Sequence, residues 1–286
     1  MHSRKYLQNV LIWATAVIFV GAHFAGQDES GPVLDEAVSF MTGDTVGDAA
    51  VPASADSGLV IEEASSTVDE SAAGALSEEA KAALEAFGSV VEKLSHPRAL
   101  EDAFRGYFAY RGAHPNQVKK PYLYFVDYGL PSTAKRGYVF DMSALRIVDG
   151  PFTVAHGKGS SKPKQGIPTR FSNAVGSKAT SLGLYLAQST YGFRGKAGGR
   201  SYTSVGLRLL GMSGDYNDNA FLRRVVAHGA PYVTSAKAGR SEGCPAMEPS
   251  RARRLLPMLA NGGMVFLFAP DTNWMSGDPW IAADAG

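Results

Sequence analysis

From Pro121 onward, the chain is a series of short runs of β-branched and aromatic residues separated by turn-forming residues. Runs of this length and composition predict strands, which favours a β-rich fold over a helical bundle. The 32 glycines and 15 prolines also suit a fold with many turns. The predicted strands contain the sequences YLYFVDYG, KRGYVFDM, FTVAHG, GLYLAQ, SVGLRLLG, RRVVAHG and GMVFLFA.

Helical spacing of apolar residues is confined to two regions of the sequence. In front of the strands, Ser77 is a suitable N-cap for a helix, and a second helix follows it closely. Late in the chain, NDNAFLRR predicts a short helix capped by Asn217 or Asp218, and PSRARRLLPMLANGG predicts another. The predicted fold class is therefore mostly β, of the α+β kind, with helices at the front and one after Cys244.

The first 76 residues have a different composition from the rest. Residues 1–25 begin with Arg4 and Lys5 and continue into an apolar run, which is the layout of a secretory signal peptide or an uncleaved membrane anchor. Residues 26–76 are acidic and rich in Ala, Ser and Gly, so they cannot bury enough apolar surface to fold and predict a disordered linker. We expect export to the periplasm or cell envelope, with a possible membrane tether.

The remainder divides into a helical pair at 77–112, a catalytic domain at 113–270 and a tail at 271–286. From Lys81 onward there are 26 basic and 14 acidic residues, a formal charge of +12. A basic exported domain suits an anionic polymer, of which peptidoglycan is one candidate, although the charge also serves plain solubility. Nucleic acid is disfavoured as a partner because of the export signal.

Cys244 is the only cysteine, and composition alone favours a buried structural thiol. The local sequence indicates a nucleophile instead. His228 ends a predicted strand 16 positions earlier, and an imidazole can take the proton of a thiol or stabilise its thiolate. No carboxylate is obvious as a third partner for the imidazole, so a backbone carbonyl or a hydroxyl is expected to fix its tautomer.

The residues just before Cys244 favour an acyl-transfer site. Gly243 allows the backbone to approach a substrate, and the N–H groups of Gly243 and Cys244 are candidates for an oxyanion hole. Ser241 is placed to orient a neighbour by hydrogen bonding. We also expect the turn that carries Cys244 to lead into a helix, so that the positive end of the helix dipole lowers the pKa of the thiol.

This pattern resembles the L,D-transpeptidase catalytic domain, also called the YkuD-like domain. The matching residues are His228-Gly229 and Ser241-Glu242-Gly243-Cys244, and the sequence is closer to a divergent branch that continues with Pro-Ala. Three other segments also resemble that branch, so that the resemblance spans roughly residues 100–268: VAHGKGSS, FSNAVGSKATSLGLY and YNDNAFLRRVVAHGA.

The resemblance implies a β-sandwich or barrel and a cysteine enzyme that needs no cofactor. It implies that Cys244 attacks a stem peptide of peptidoglycan, forms a thioester, and passes the acyl group to an amine to make a 3-3 cross-link. Inhibition by carbapenems is also implied. Members of the main family usually carry a histidine where Glu242 stands, and a β-branched residue and an arginine after the cysteine, where this chain has Pro245 and Ala246. Arg240 is our candidate for supplying the missing positive charge.

His156, the other histidine in a strand-end His-Gly pair, is a candidate substrate contact or a structural residue. A metal site is disfavoured because the six histidines include no HExxH motif. A hydrolase of the same fold, acting on stem peptides or wall-linked protein, remains an alternative, as does a non-catalytic wall-binding module. A papain-like protease requires the cysteine before the histidine, which is the reverse of the order here.

Overall fold

The computed structural model describes residues 76–282, and the predicted signal segment and nearly all of the predicted linker lie outside them. None of the helices between residues 76 and 282 combines the length and hydrophobicity that a bilayer-spanning segment needs. The described residues contain four α-helices and ten strands. The predicted class is confirmed, because the core is a large sheet with helices in front of it and after Cys244.

Eight strands form one sheet in the order β3-β2-β1-β10-β5-β6-β7-β9, and β4 and β8 form a small parallel pair. The central strands β1 and β10 run parallel and are buried along almost their whole length, as expected for runs such as YLYFVD and MVFLF. The strands are β1 (Tyr122–Asp127), β2 (Gly137–Asp141), β3 (Arg146–Phe152), β4 (His156–Gly157), β5 (Gly183–Ala197), β6 (Arg200–Gly211), β7 (Val226–Gly229), β8 (Arg240–Ser241), β9 (Ala246–Met247) and β10 (Met264–Phe268).

The two front helices, α1 (Glu78–Gly88) and α2 (Ala99–Ala113), pack on the sheet through aromatic rings. Ser77 caps α1, as predicted, because its Oγ accepts a hydrogen bond from the Ala80 N–H at 3.2 Å. The Phe87 ring lies 5.5 Å from that of Phe104 on α2 and 4.6 Å from that of Phe140 on β2. The helical pair is therefore continuous with the main hydrophobic core.

Residues 271–282, set apart from the catalytic domain in the sequence analysis, fold back onto the sheet. They form α4 (Thr272–Gly277), whose buried Trp274 packs against Phe266 and Phe268 of β10. The indole Nε1 donates to the Asp278 carboxylate at 2.8 Å, so the one polar atom of the ring is satisfied inside the core.

The strands β5 and β6 form a long hairpin that extends beyond the rest of the sheet. The first residues of β5 are buried, whereas the second half alternates between partly buried and exposed positions. Its tip is the pair Gly198-Gly199, both with positive φ, which a tight turn requires. The hairpin lies beside β7 and so reaches the region of His228.

One predicted helix differs from the structure, and another, which is confirmed from Pro249 onward, lies farther from the cysteine than expected. The segment NDNAFLRR forms only a 3-10 turn at Asp218–Ala220, because the Asn217 side chain bonds elsewhere, accepting from Ser213 N and donating to Leu184 O. The helix after the cysteine, α3 (Pro249–Leu259), begins five residues beyond Cys244, with β9 in between. The prediction that a helix dipole acts on the thiol is therefore wrong.

Candidate active site

His228 and Cys244 are brought together by the short parallel pairing of β7 with β9. His228 lies opposite Ala246, two residues after the cysteine, and its backbone N–H is 3.4 Å from the Pro245 carbonyl oxygen. The half-buried thiol points back along β7, where Sγ is 3.9 Å from the Arg224 carbonyl oxygen. No hydrogen bond joins the thiol to the imidazole among residues 76–282.

The His228 imidazole is buried and held in one orientation from two sides. Its Nδ1 lies 3.1 Å from the carbonyl oxygen of Gly229, which places the proton on Nδ1 and leaves Nε2 as the basic nitrogen. The Phe193 ring, from the β5–β6 hairpin, stacks on the imidazole at 4.0 Å between centroids. Burial lowers the pKa of His228 to about 4, so the ring is neutral at pH 7.

Ser241 shapes the turn that carries the thiol. Its hydroxyl donates to the Cys244 carbonyl oxygen at 2.7 Å and accepts from the Gly243 N–H at 3.2 Å. The Gly243 N–H is thus already used, which corrects the prediction that it points at an oxyanion together with the Cys244 N–H. Of the two predicted donors, the Cys244 N–H is the one left for that role.

Gly243 and Gly229 lie where neighbouring atoms leave too little space for a side chain. Gly243 has φ +126°, and a Cβ there would lie 2.9 Å from the Ala179 carbonyl oxygen. A Cβ on Gly229 would lie 2.3 Å from Ser204 Oγ. Any side chain at either position therefore forces the backbone around the histidine or the cysteine to move.

The positive charge beside the thiol comes from Arg223, which the sequence analysis missed. Its guanidinium donates to Ser181 Oγ at 3.0 Å, to Ser177 Oγ at 3.2 Å and to the Ala179 carbonyl oxygen at 2.6 Å. These bonds hold Nη2 within 3.5 Å of the point that a Cβ on Gly243 would occupy. The only signal in the sequence was the Arg-Arg pair just before the strand of the histidine.

The pKa of the Cys244 thiol reflects opposing influences. Burial raises it above its ordinary value, while the Val226 N–H and the Arg223 guanidinium act to lower it. The negative charge of Glu242, on the neighbouring turn, also raises the pKa of the thiol. The sulfur is therefore a neutral thiol at pH 7, and Arg223 limits how far its pKa rises.

Arg240 and Glu242, the two charged residues of the motif region, serve other partners. Nη1 of Arg240 donates to the carbonyl oxygens of Ser161 and Lys162, so the side chain braces that loop. Glu242 forms ion pairs with Lys158 at 2.5 Å and Lys178 at 3.4 Å. The hypothesis that Arg240 supplies the missing positive charge at the thiol is therefore wrong, because Arg223 occupies that place.

His156 lies on β4, on the other side of Ala246 from His228. The Ala155 N–H donates to the Ala246 carbonyl oxygen, which links the two histidine-bearing strands through one residue. His156 is fully buried, and its Nδ1 is 3.0 Å from Nη2 of Arg136. Burial and Arg136 lower the pKa of His156 to about 3, so it too is neutral.

The described residues offer little for a metal. Between residues 76 and 282, no group of three or more His, Cys, Asp or Glu side chains is arranged to hold a metal ion. The candidate site therefore consists of a thiol, an imidazole, a guanidinium and backbone donors. Such groups are suited to nucleophilic attack on a carbonyl followed by proton transfer.

A family model described as the L,D-transpeptidase catalytic domain matches residues 92–268. No curated protein matches the chain. Among solved structures, an L,D-transpeptidase from Mycobacterium smegmatis is 16% identical with a TM-score of 0.34, and the alignment covers 52% of this chain and 59% of that one. An L,D-transpeptidase from Stackebrandtia nassauensis is also 16% identical with a TM-score of 0.32, covering 68% and 92%. These likenesses are weak, and family membership depends on the family match.

We predict that His228 makes the protein less stable in acid. The unfolded chain binds a proton near pH 6.5, whereas the buried ring binds it only near pH 4, so the free energy of unfolding falls as the pH drops between these values. His228→Asn should lessen this slope by up to about 1.4 kcal/mol per pH unit. Urea denaturation at a series of pH values measures it, and equal slopes contradict the prediction.

We also predict that Arg223→Gln raises the pKa of the thiol, because it removes the guanidinium that opposes the effect of burial. Arg223→Lys should restore much of the wild-type value, since it keeps the charge. The pH dependence of iodoacetamide alkylation measures this cleanly, because the chain has one cysteine.

Ser177→Ala is the matched control, since it removes one anchor of the guanidinium and leaves its charge in place. If Ser177→Ala and Arg223→Gln shift the alkylation profile equally, Arg223 acts by holding the loop and not by its charge.

Proposed function

Because this chain belongs to the L,D-transpeptidase catalytic domain family, we propose that it forms 3-3 cross-links between peptidoglycan stem peptides through a thioester on Cys244. The observation that carries the proposal is the β7–β9 pairing, which places a half-buried thiol two residues from the backbone partner of His228. The family match does not specify the acyl acceptor, so the product analysis below tests the acceptor directly.

Acylation begins with a neutral thiol and a neutral imidazole. Nε2 of His228 takes the thiol proton as Sγ attacks the carbonyl carbon of the third stem-peptide residue, at an L-to-D junction. The Cys244 N–H is the backbone donor available for the developing oxyanion. When the tetrahedral intermediate collapses, the C–N bond breaks and the terminal D-alanine leaves, with its amine taking the proton from the imidazolium.

The second half of the reaction reverses these roles. An amine from a diamino acid on another stem peptide attacks the thioester carbonyl and gives a proton to His228. The C–S bond breaks, the new amide is the 3-3 cross-link, and the sulfur regains its proton from the imidazolium. Water in place of the amine turns the same site into an L,D-carboxypeptidase, which is the hydrolytic alternative. In both routes, the groups of the protein that take part are Cys244 and His228.

We propose that the protein works outside the cytoplasm, in the periplasm or cell envelope. The basic start and apolar run in residues 1–25 support export, and residues 26–76 are long enough to serve as a tether if the segment is retained. The formal charge of +12 from Lys81 onward also suits the anionic wall polymer.

We expect Cys244→Ala and Cys244→Ser to form no adduct with a carbapenem, whereas the wild-type protein gains the mass of one inhibitor. His228→Ala should slow acylation by about 10²- to 10⁴-fold, the usual contribution of a general base. Intact-mass spectrometry over time measures both. An adduct on Cys244→Ala would overturn the choice of nucleophile, and loss of acylation in His156→Ala but not in His228→Ala would overturn the choice of base.

Purified disaccharide-tetrapeptides should yield 3-3 dimers and free D-alanine in equal amounts with the wild-type protein, and neither with Cys244→Ala. Mass spectrometry of the products separates the candidate functions. Tripeptide monomers without dimers indicate the hydrolase. Unchanged substrate that is nevertheless bound by the protein indicates a wall-binding module.

A further inference from the structure

A cavity of about 310 Å³ opens between the β5–β6 hairpin and the turn that precedes β7. Its volume is at the lower end for a ligand site and suits a small occupant. One part of its wall is apolar, from buried side chains, and the other part is cationic. The residues used below are Tyr191, Arg208, Arg224 and Val226.

The cavity and the nucleophile share the same piece of backbone. The carbonyl oxygen of Arg224 accepts the hydrogen bond from Sγ of Cys244, and the N–H of Val226 is a donor to the same sulfur. Both residues line the cavity. A substrate carbonyl under attack by Sγ therefore lies against the same backbone segment that lines the cavity.

Two guanidinium groups in this wall have no carboxylate partner among residues 76–282. Arg208 lies over the Tyr191 ring at 4.4 Å and donates one hydrogen bond to Ser189 Oγ, which leaves most of its N–H groups available. Arg224 is exposed. A guanidinium without an acidic partner is well suited to bind a carboxylate through paired hydrogen bonds.

The part of the sequence that carries Tyr191 and Arg208 contains no acid to compete for these cations. Residues 150–214 include nine Lys and Arg residues and no Asp or Glu. Glu242, the acid that acts on the thiol, is already paired with Lys158 and Lys178. The local potential therefore favours an anionic ligand next to the nucleophile.

The backbone at Arg224 has a strained conformation. Its φ is +55°, in the left-handed region that a long side chain seldom adopts, and glycine or asparagine would fit there with less strain. This conformation turns the Arg224 carbonyl toward the thiol while the side chain remains at the cavity. Strain of this kind is concentrated at functional sites.

We propose that this cavity binds the free carboxylate of the last residue of the donor peptide, the residue that leaves when Cys244 is acylated. The inference rests on the proposed function. Arg208 and Arg224 hold the carboxylate, and the side chain of Val226, which lies opposite Arg208 on the same face of the sheet, provides an apolar wall for a small side chain such as the alanine methyl.

The test compares two synthetic donor peptides, one ending in D-alanine and the other in D-alanine amide. Release of the last residue gives kcat/KM for each. For the wild-type protein we expect the acid to exceed the amide by about 10- to 100-fold, as for a charge-assisted hydrogen bond. In Arg208→Met and Arg224→Asn this ratio should fall toward one. Asparagine is chosen because it tolerates positive φ.

Arg253→Gln is the matched control, since Arg253 is exposed on α3, and it should keep the wild-type ratio. A third peptide, amidated only on the side-chain carboxylate of the diamino acid, tests the other source of a carboxylate. If that peptide alone loses reactivity, or if wild type turns over acid and amide equally, the proposal is wrong. The proposed function fails separately, if Cys244→Ala still releases D-alanine.

Discussion

The site depends on the backbone pairing of one small residue, Ala246. On one side it pairs with His228 in the parallel β7–β9 ladder, and on the other it accepts a hydrogen bond from Ala155, next to His156. Three chain segments that are far apart in sequence are thus fixed at adjacent positions. Ala246 is fully buried, so a larger side chain at this position has to displace its neighbours in the core.

This pairing also explains the electrostatics of the site. A strand, and not a helix, follows Cys244, so no helix dipole acts on the sulfur. Stabilisation of the thiolate comes instead from Arg223 and the Val226 N–H, while burial raises the pKa of the thiol and lowers that of the imidazole. The resting pair is therefore uncharged.

The sequence was sufficient for most of the strands and for the front helices, because alternation and capping are local signals. The His-to-Cys spacing nominated two residues whose part in the chemistry stays a prediction. The sequence was insufficient where a side chain acts across the fold. Arg223 gave no sign of its role because its partners, Ser177, Ala179 and Ser181, lie more than forty residues away. Asn217 resembled a helix cap in the sequence, but its side chain donates a hydrogen bond to the backbone of Leu184 on β5. The short strand β9, with two residues, is below the length at which periodicity can be recognised.

The stacking of Phe193 on His228 links the position of the β5–β6 hairpin to the proton affinity of the imidazole. The hairpin that carries Phe193 leads to a turn of two glycines and lies against β7 only along part of its length. Any motion that lifts the hairpin off the histidine exposes the imidazole to water, and hydration returns its pKa toward the ordinary value. The position of the hairpin is therefore thermodynamically linked to the proton affinity of His228, so that protonation at low pH favours the lifted hairpin.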